Sequence, residues 1–345
     1  MKNIIKVILL LSLLASVGNS FKAQTSLESK EGDLIKNSTT VSGKSFTNIA
    51  KRTNNCVMIS GYSQFNNNFF LDSCINNWTI KEVASLGIVQ DSHFIGGNSG
   101  WMIISGEIVK AENNELIEVD LGKIKNSYFN NVYFNDSQNG WAVGWKGKII
   151  FTNDGGFSWK EQISPTNFNL TEIVFANANS GWIMGDEYTD GKVESVLLKT
   201  SNQGNSWEKV DQPQDDVFVK ILFLNSLNGW AITRKGELKI TKDGGNIWNN
   251  IKTSNKNFVD ITFVDQFHGW GLTEDAVFYT KDGGSNWLKQ LVLPNVFPYE
   301  FSKIIFLDKN NGWILSKKEV LQTNNAGQSW NVLEISSKLT KEVIK

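Results

Sequence analysis

The stretch TKDGGSNW, residues 280–287, places an aspartate and two glycines between a threonine and a tryptophan. The pattern T-x-[DN]-x-G-x-x-W recurs in TNDGGFSW (152–159), TSNQGNSW (200–207), TKDGGNIW (241–248) and TNNAGQSW (323–330). A binding or catalytic site occurs once in a chain, whereas a structural unit is repeated. The five copies therefore indicate the building block of a repeat fold.

A second signature, a phenylalanine six residues before the glycine of a Gly-Trp pair, precedes each copy. It occurs at 94–101, 134–141, 175–182, 223–230, 263–270 and 306–313. Its tryptophans, from Trp101 to Trp313, recur every 40 to 48 residues, and short strand signals repeated at that period are typical of propellers. Degenerate copies of the first pattern at 71–78 and 112–119 complete two further units. We therefore predict an all-β fold, a single seven-bladed β-propeller of four-stranded antiparallel blades.

The repeats also set the domain boundaries. We assign residues 1–24 to a signal peptide, 25–45 to an N-terminal extension, 46–335 to the propeller and 336–345 to a C-terminal tail. In the sixth unit, FVDITFV (258–264) is the first strand and reads as apolar on both faces, as expected beside a propeller axis.

The repeated pattern is predicted to form the turn between the third and fourth strands. Its Asp or Asn accepts backbone N–H bonds, its glycine supplies a positive φ, and its tryptophan packs beside the turn. The residues assigned to this structural role are Asp154, Gly156, Trp159, Asn202, Gly204, Trp207, Asp243, Gly245, Trp248, Asp282, Gly284, Trp287, Asn325, Gly327 and Trp330. A calcium loop needs more converging oxygen ligands, and a phosphate loop leads into a helix, so a structural turn is favoured.

The N-terminus predicts export. Lysines at 2 and 6 precede an apolar run to about Val17, which is too short and wrongly flanked for a membrane span. Cleavage is expected near Ser20 or at Gln24, giving a periplasmic or extracellular protein that does not span a membrane. The formal net charge of -1 argues against a nucleic-acid partner.

The two cysteines are predicted to face each other. VMIS (57–60) and NFFLDSC (68–74) would pair as the second and third strands of the first unit, which places Cys56 opposite Cys74 within reach of a cross-strand disulfide. An oxidising compartment permits the bridge. Two buried free thiols are the alternative.

The two signatures together carry a family resemblance. T-x-[DN]-x-G-x-x-W resembles the Asp-box of bacterial neuraminidase repeats, and with F-x-[DN]-x-x-x-G-W the chain resembles photosystem II stability/assembly factor-like propellers over residues 88–335. The resemblance implies a seven-bladed β-propeller that acts as an assembly or scaffold protein without catalysis. Photosynthetic members use an arginine-rich patch to bind a membrane-protein precursor. This chain has only Arg52 and Arg234, so that partner is not carried over.

The composition also bears on enzymatic alternatives. A sialidase clamps its substrate carboxylate with three arginines, so two arginines exclude that activity. A carboxylate-pair glycoside hydrolase stays open, with candidate acids Asp186, Glu187, Asp215, Asp216, Glu274, Asp275 and Glu300, but no spacing singles out a pair. Two histidines, His93 and His268, and two cysteines in distant units support neither a catalytic triad nor a zinc site. We predict no cofactor and no metal.

A partner is expected on one face of the propeller. Loops between blades and loops between second and third strands share that face, and they are longer and more varied than the repeated turns. They include an insertion at 185–195. The predicted contact residues are Trp145, Asp186, Tyr188, Arg234, Lys235, Phe297 and Tyr299. A protein is the first candidate partner of this expected monomer and a glycan the second; the alternative is that Trp145 and Phe297 pack beneath neighbouring loops.

Overall fold

The computed structural model describes the chain from residue 44 to residue 343 with gaps. The described residues are 44–63, 67–74, 77–84, 87–96, 99–112, 115–124, 127–211, 217–252, 257–293, 301–333 and 342–343.

Twenty-eight strands among these residues form seven antiparallel blades of four consecutive strands each. The strands are β1–β4 at Lys44–Lys51, Cys56–Ser63, Asn67–Cys74 and Asn77–Ala84; β5–β8 at Val89–Phe94, Ser99–Ile104, Glu107–Glu112 and Glu115–Glu118; β9–β12 at Phe129–Phe134, Gly140–Gly144, Ile149–Thr152 and Lys160–Gln162; β13–β16 at Asn169–Phe175, Gly181–Thr189, Lys192–Thr200 and Glu208–Val210; β17–β20 at Phe218–Phe223, Gly229–Thr233, Leu238–Thr241 and Asn249–Ile251; β21–β24 at Asp260–Phe263, Gly269–Leu272, Ala276–Thr280 and Leu288–Val292; and β25–β28 at Phe301–Phe306, Gly312–Ser316, Val320–Thr323 and Asn331–Val332. Short 3-10 helices lie at Gly122–Ile124 and Trp145–Gly147. The predicted seven-bladed β-propeller is confirmed.

The ring closes by packing between the last and the first blade. Trp313 and Leu315 of blade seven share one buried cluster with Phe46 and Ile59 of blade one, and the backbone N–H of Phe46 donates to the Lys317 carbonyl over 2.9 Å. The segment 336–345, expected as a tail, contains β29 (Glu342–Val343), which pairs in parallel with β4 on the outer edge of blade one. Closure therefore uses side-chain packing, and β29 adds to a blade that is already complete.

A repeated aromatic stack explains why the two sequence signatures occur together. The Gly-Trp tryptophan of one blade stacks on the signature phenylalanine of the next, as Trp230 does on Phe263 with ring centroids 3.7 Å apart. The tryptophan of the turn pattern, here Trp287, meets the same phenylalanine edge-on at 6.1 Å. A Cβ on Gly269 would lie 2.5 Å from the Phe263 ring. Glycine is therefore required before the tryptophan because the ring occupies that space.

The same three-ring arrangement recurs around the propeller. Stacked or tilted pairs join Trp101 to Phe134, Trp141 to Phe175, Trp182 to Phe223 and Trp270 to Phe306. Each of these tryptophans is at most 2% exposed. Because every pair crosses a blade boundary, the tryptophans stabilise the contact between neighbouring blades and not only the blade that carries them.

The turn between third and fourth strands is built by its threonine and its Asp or Asn. In blade three, Thr152 Oγ1 donates to Asp154 Oδ1 over 2.8 Å and accepts from the Gly156 N–H over 2.9 Å. Asp154 also accepts the Ser158 N–H over 2.9 Å. These bonds to Ser158 hold the pKa of Asp154 down at about 2. Asn202 and Asn325 accept the same backbone bond in their own turns, which explains why Asn replaces Asp in two copies.

The cysteines lie opposite each other in blade one. The register of β2 and β3 pairs Cys56 with Cys74, and Cys56 is disulfide-bonded. The strand pairing that the sequence predicts is therefore present.

We expect unreduced, denatured protein to show no reactive thiol in a colorimetric thiol titration, and two after reduction. The protein reduced and alkylated in denaturant serves as the zero-thiol baseline for both samples. Two thiols in the unreduced sample would instead support the alternative of free cysteines.

Candidate functional site

The strand order separates the loops onto two faces. Each first strand is innermost and the strands of a blade follow one another outward, so alternate connections emerge on opposite sides. We call the side with the loops between second and third strands and between blades the recognition face. The side with the T-x-[DN]-x-G-x-x-W turns is called the box face.

The insertion in blade four forms the most prominent feature of the recognition face. It was expected as a loop, but it extends β14 and β15 into one long hairpin, paired from Gly181–Thr200 to Thr189–Lys192. β14 has nine residues where β18 has five, so the hairpin projects by roughly 13 Å at 3.3 Å per residue. Asp190 and Gly191 close it with φ values of 53° and 79°. An Asp-Gly pair with two positive φ angles is typical of a tight hairpin turn, and this signal was present in the sequence.

One side of this hairpin faces blade five. Arg234 Nη2 lies 3.3 Å from Asp186 Oδ2 and donates to Ser195 Oγ over 2.9 Å. Tyr188 pairs with Val193 one step nearer the tip, and side chains two residues apart on a strand lie on the same side. Tyr188, 71% exposed, and Val193, 46% exposed, therefore extend the surface that begins at Arg234.

A cleft of about 790 Å³ lies beside this surface, between blades five and six. The second-to-third loop of blade five contributes Arg234 and Lys235, and that of blade six contributes Glu274 and Asp275. Apolar side chains of Val219, Phe258, Val259 and Phe278 also line it. The cleft thus combines a basic wall, an acidic wall and an apolar lining.

Trp145 stands on a separate part of the recognition face. It begins the 3-10 turn after β10, is 51% exposed, and packs against Tyr128 with ring centroids 4.6 Å apart. Gln90 Nε2 donates to the Tyr128 hydroxyl over 2.8 Å. Trp145 therefore has both a packing contact and a large exposed surface.

The structure brings four of the seven predicted contact residues together. Asp186, Tyr188, Arg234 and Lys235 form one continuous surface from hairpin to cleft. Trp145 lies on blade three and is not part of that surface. Phe297 and Tyr299 lie outside the described residues.

The acidic wall of the cleft could have been assigned from the repeats. From the sequence, Glu274 and Asp275 were candidate acids of a glycoside hydrolase and were not among the predicted partner contacts. Aligned on the repeat, Thr273-Glu274-Asp275 occupies the place of Thr233-Arg234-Lys235 one blade earlier. That alignment puts the two charged pairs on neighbouring loops.

Both arginines are engaged with carboxylates in this fold. Arg52 forms an ion pair with Asp72 inside blade one, and Arg234 contacts Asp186. They lie four blades apart in the chain, so they do not form a common basic patch.

A ring of polar residues surrounds the central axis beneath the recognition face. The expectation that first strands are apolar on both faces is wrong, because every first strand has a polar residue at one aligned position. In six blades the strand register shifts next to that position. These ring positions are Asn48, Asp91, Asn131, Glu172, Lys220, Asp260 and Lys303. The first strands are innermost, so a side chain that faces inward from them borders the central axis and not an apolar cluster. Polar residues are therefore tolerated at these positions.

The ring positions join neighbouring blades at six of the seven boundaries. Within the described chain the connections are Lys303 Nζ to Asn48 Oδ1 at 2.5 Å, Asn48 Nδ2 to Ser92 Oγ at 3.0 Å, Asn131 Nδ2 to Asp91 Oδ2 at 2.8 Å, Ile173 N to Asn131 Oδ1 at 2.9 Å, Ile304 N to Asp260 Oδ2 at 2.8 Å, and an ion pair of Lys220 with Asp260. Among the described residues, no such bond crosses from Glu172 of blade four to blade five.

The carboxyl group of Glu172 has a raised pKa. Burial raises the pKa of Glu172 to about 7, with Lys220 opposing the rise and Asp91 adding to it. Burial lowers the pKa of Lys220, but Asp260 and Glu172 outweigh it and raise that pKa overall. Charged groups of blade two and of blade five thus both act on this one carboxyl group.

The two histidines occupy structural environments. His268 Nδ1 lies 2.8 Å from Asp265 in a turn of the box face, and burial lowers the pKa of His93. Over the described ranges of the chain, no group of three or more His, Cys, Asp and Glu residues is arranged to hold a metal ion. The same ranges include no helix with the length and apolar character needed to cross a membrane.

The chain matches a known protein family over most of its length. The family model described as photosynthesis system II assembly factor YCF48 matches residues 16–193 and 249–344. The photosystem II assembly lipoprotein Ycf48 of Picosynechococcus sp. is 28% identical over 122 residues, which is 32% of this chain. That match spans 35% of the lipoprotein's own length.

Solved structures show the same fold at low identity. The structure of YCF48 bound to D1 peptide is similar with a TM-score of 0.64 and 15% identity, covering 83% of this chain and 95% of that one. YCF48 from Cyanidioschyzon merolae gives a TM-score of 0.63 at 15% identity, covering 84% and 97%.

Proposed function

Because the chain belongs to the family of the photosynthesis system II assembly factor YCF48, we propose that it is a non-catalytic propeller that binds a partner protein through its recognition face. In this proposal it acts as a scaffold or assembly factor. The kind of partner is inferred from the surface of this chain alone. With only two arginines, the chain lacks the arginine-rich patch of the photosynthetic members.

The observation that carries the proposal is the continuous surface from the blade-four hairpin to the cleft. It offers an exposed aromatic ring at Tyr188, an apolar lining, and basic and acidic walls within one site. Aromatic residues with polar groups beside them are typical of protein contacts. The box face, in contrast, consists of short turns whose polar groups bond within the turn itself.

We infer that the protein acts outside the cytoplasm, as a periplasmic or extracellular monomer. The support is the basic and apolar leader in residues 1–24, the disulfide at Cys56, and a family relative that is named a lipoprotein. The leader lies outside the described residues. Disulfides persist in oxidising compartments, which agrees with export.

A photo-cross-linker tests which face binds. Benzoylphenylalanine in place of Tyr188, 71% exposed on the recognition face, should capture a discrete protein from cell-envelope extract after irradiation. The matched control places it at Phe157, 79% exposed on the box face, where we expect no capture above background. Mass spectrometry of the cross-linked bands names the partner.

Capture from Phe157 alone would assign binding to the opposite face and contradict the proposal. A glycan array and a polysaccharide hydrolysis screen on the unmodified protein test the other candidates. Selective glycan binding without protein capture would favour the glycan alternative, and turnover of a polysaccharide would favour the carboxylate-pair hydrolase.

A further inference from the structure

Among the described residues, the hairpin of blade four has one strand edge with no paired strand. β15 pairs with β14 along its whole length, but β16 pairs with it only at Leu197, Leu198 and Lys199. On the side of β16, residues 192–196 therefore form no ladder within the described chain. An unpaired edge presents a row of backbone donors and acceptors that can accept a further strand.

The two sides of this edge differ in chemistry. Toward blade five the hairpin presents Tyr188 and Val193, both exposed. On the opposite side, Glu187 and Glu194 lie directly across from each other in the register. Like charges in a cross-strand pair are destabilising, and Asp190 at the turn adds a third carboxylate nearby. Lys192, which shares that side, leaves the tip acidic overall.

We propose that the β15 edge at residues 192–196 binds an extended, basic segment of the partner protein as an added strand. Main-chain hydrogen bonds to β15 supply the affinity in this mode of recognition, and alternating side chains supply the selectivity. A lysine or arginine of the segment would lie beside Glu194 and relieve its repulsion with Glu187. An apolar residue on the other side would cover Val193.

This inference rests on the proposed function, since it specifies how the recognition face would hold a protein. It differs from binding in the cleft, because the cleft is formed by blades five and six while this edge belongs to blade four. Binding at either place can therefore be measured while the other is unchanged.

A model peptide tests the edge directly on the wild-type protein. The probe is a short capped peptide that alternates lysine with valine, and hydrogen exchange of the protein is followed with and without it. We expect new protection of backbone amides in residues 192–196. The same peptide with alternate backbone nitrogens methylated keeps its charge but cannot form the ladder, so we expect about tenfold weaker binding or worse.

Charge selectivity is tested with a matched pair of variants. Glu194→Lys should weaken binding of the lysine-valine peptide by about fivefold or more, because it removes one attraction and adds one repulsion. Glu115→Lys, an exposed glutamate on the outer strand of blade two, changes net charge equally and should stay within about twofold of wild type. A glutamate-valine peptide should bind the wild-type protein more weakly than the lysine-valine peptide.

Equal binding of the methylated and unmethylated peptides, or protection confined to other strands, would overturn the proposal. Equal effects of the Glu194 and Glu115 variants would do the same for its charge selectivity. Partner capture from Tyr188 together with an unprotected β15 edge would refute only this inference. Protection of β15 by the peptide, together with capture from Phe157 alone, would refute only the proposed function.

Discussion

Trp230→Ala is expected to lower the free energy of unfolding by about 3–5 kcal/mol. The Trp230 side chain is 1% exposed and stacks on Phe263 of the next blade at 3.7 Å. Its Nε1 donates to the Gly283 carbonyl of that blade over 2.9 Å. Alanine would leave a large cavity at the boundary of blades five and six and a buried carbonyl without its donor, and both effects destabilise the fold.

Urea unfolding followed by circular dichroism measures this effect. Trp145→Ala is the matched control, because Trp145 is 51% exposed and its ring packs on Tyr128 at the surface. Its cost should stay below about 1 kcal/mol. Similar losses in the two variants would show that the indole between blades has no special role in stability.

The sequence predicted the repeat to which Trp230 belongs but not the contact that Trp230 makes. The recurrence of phenylalanine, Gly-Trp and the second tryptophan predicted the blades and their number. Sequence spacing could not show that the Gly-Trp indole stacks on the phenylalanine of the following blade, since that contact joins residues 33 positions apart, from Trp230 to Phe263. The role of these indoles in holding neighbouring units together was therefore not predicted.

The candidate site was also predicted only in part. Strand order alone placed Asp186, Tyr188, Arg234 and Lys235 on one face, because alternate connections of an antiparallel blade share a side. The hairpin was underestimated because the insertion was treated as a loop, although Thr189-Asp190-Gly191-Lys192 carries the Asp-Gly signal of a tight turn. The acidic wall was missed because the second-to-third loops of blades five and six were not aligned with each other.

The polar ring was missed for a different reason. One polar residue in an otherwise apolar strand, such as Lys220 in FVKILF, looks like an interruption when a single unit is read. Aligning all seven first strands would have shown a polar residue in every one. What no sequence pattern could supply is the partner of each ring residue, because those hydrogen bonds depend on the register between blades.

Glu172→Gln is expected to stabilise the protein at neutral and alkaline pH but not at acidic pH. The pKa of Glu172 is raised to about 7 from an ordinary value of 4.5, chiefly by burial. Below about pH 4.5 the carboxyl group is neutral in both the folded and the unfolded chain, so it imposes no penalty. As the pH rises toward 7 the unfolded chain ionises first, and stability is progressively lost; above about pH 7 the loss is complete.

The size of the effect follows from the same pKa. A shift of this size corresponds to about 3 kcal/mol at 1.36 kcal/mol per pKa unit. The free energy of unfolding of Glu172→Gln minus that of wild type should therefore be near zero at about pH 4.5 and rise to about 3 kcal/mol by about pH 8. Taking the difference removes the contribution of all other titrating groups that the two proteins share.

Urea unfolding at a series of pH values measures that difference. Glu208→Gln, at an exposed position on the outer strand of the same blade, is the control and should differ from wild type by less than about 0.5 kcal/mol throughout. A Glu172→Gln difference that does not change with pH would show that this carboxyl group is ionised at little cost in the folded protein. A pH-dependent difference would instead show that protonation of Glu172 strengthens the propeller at the boundary of blades four and five, which no hydrogen bond of the ring positions crosses within the described chain. Since that boundary lies directly beneath the hairpin and Arg234, partner binding on the recognition face should then be measured at matched pH values on both sides of neutrality.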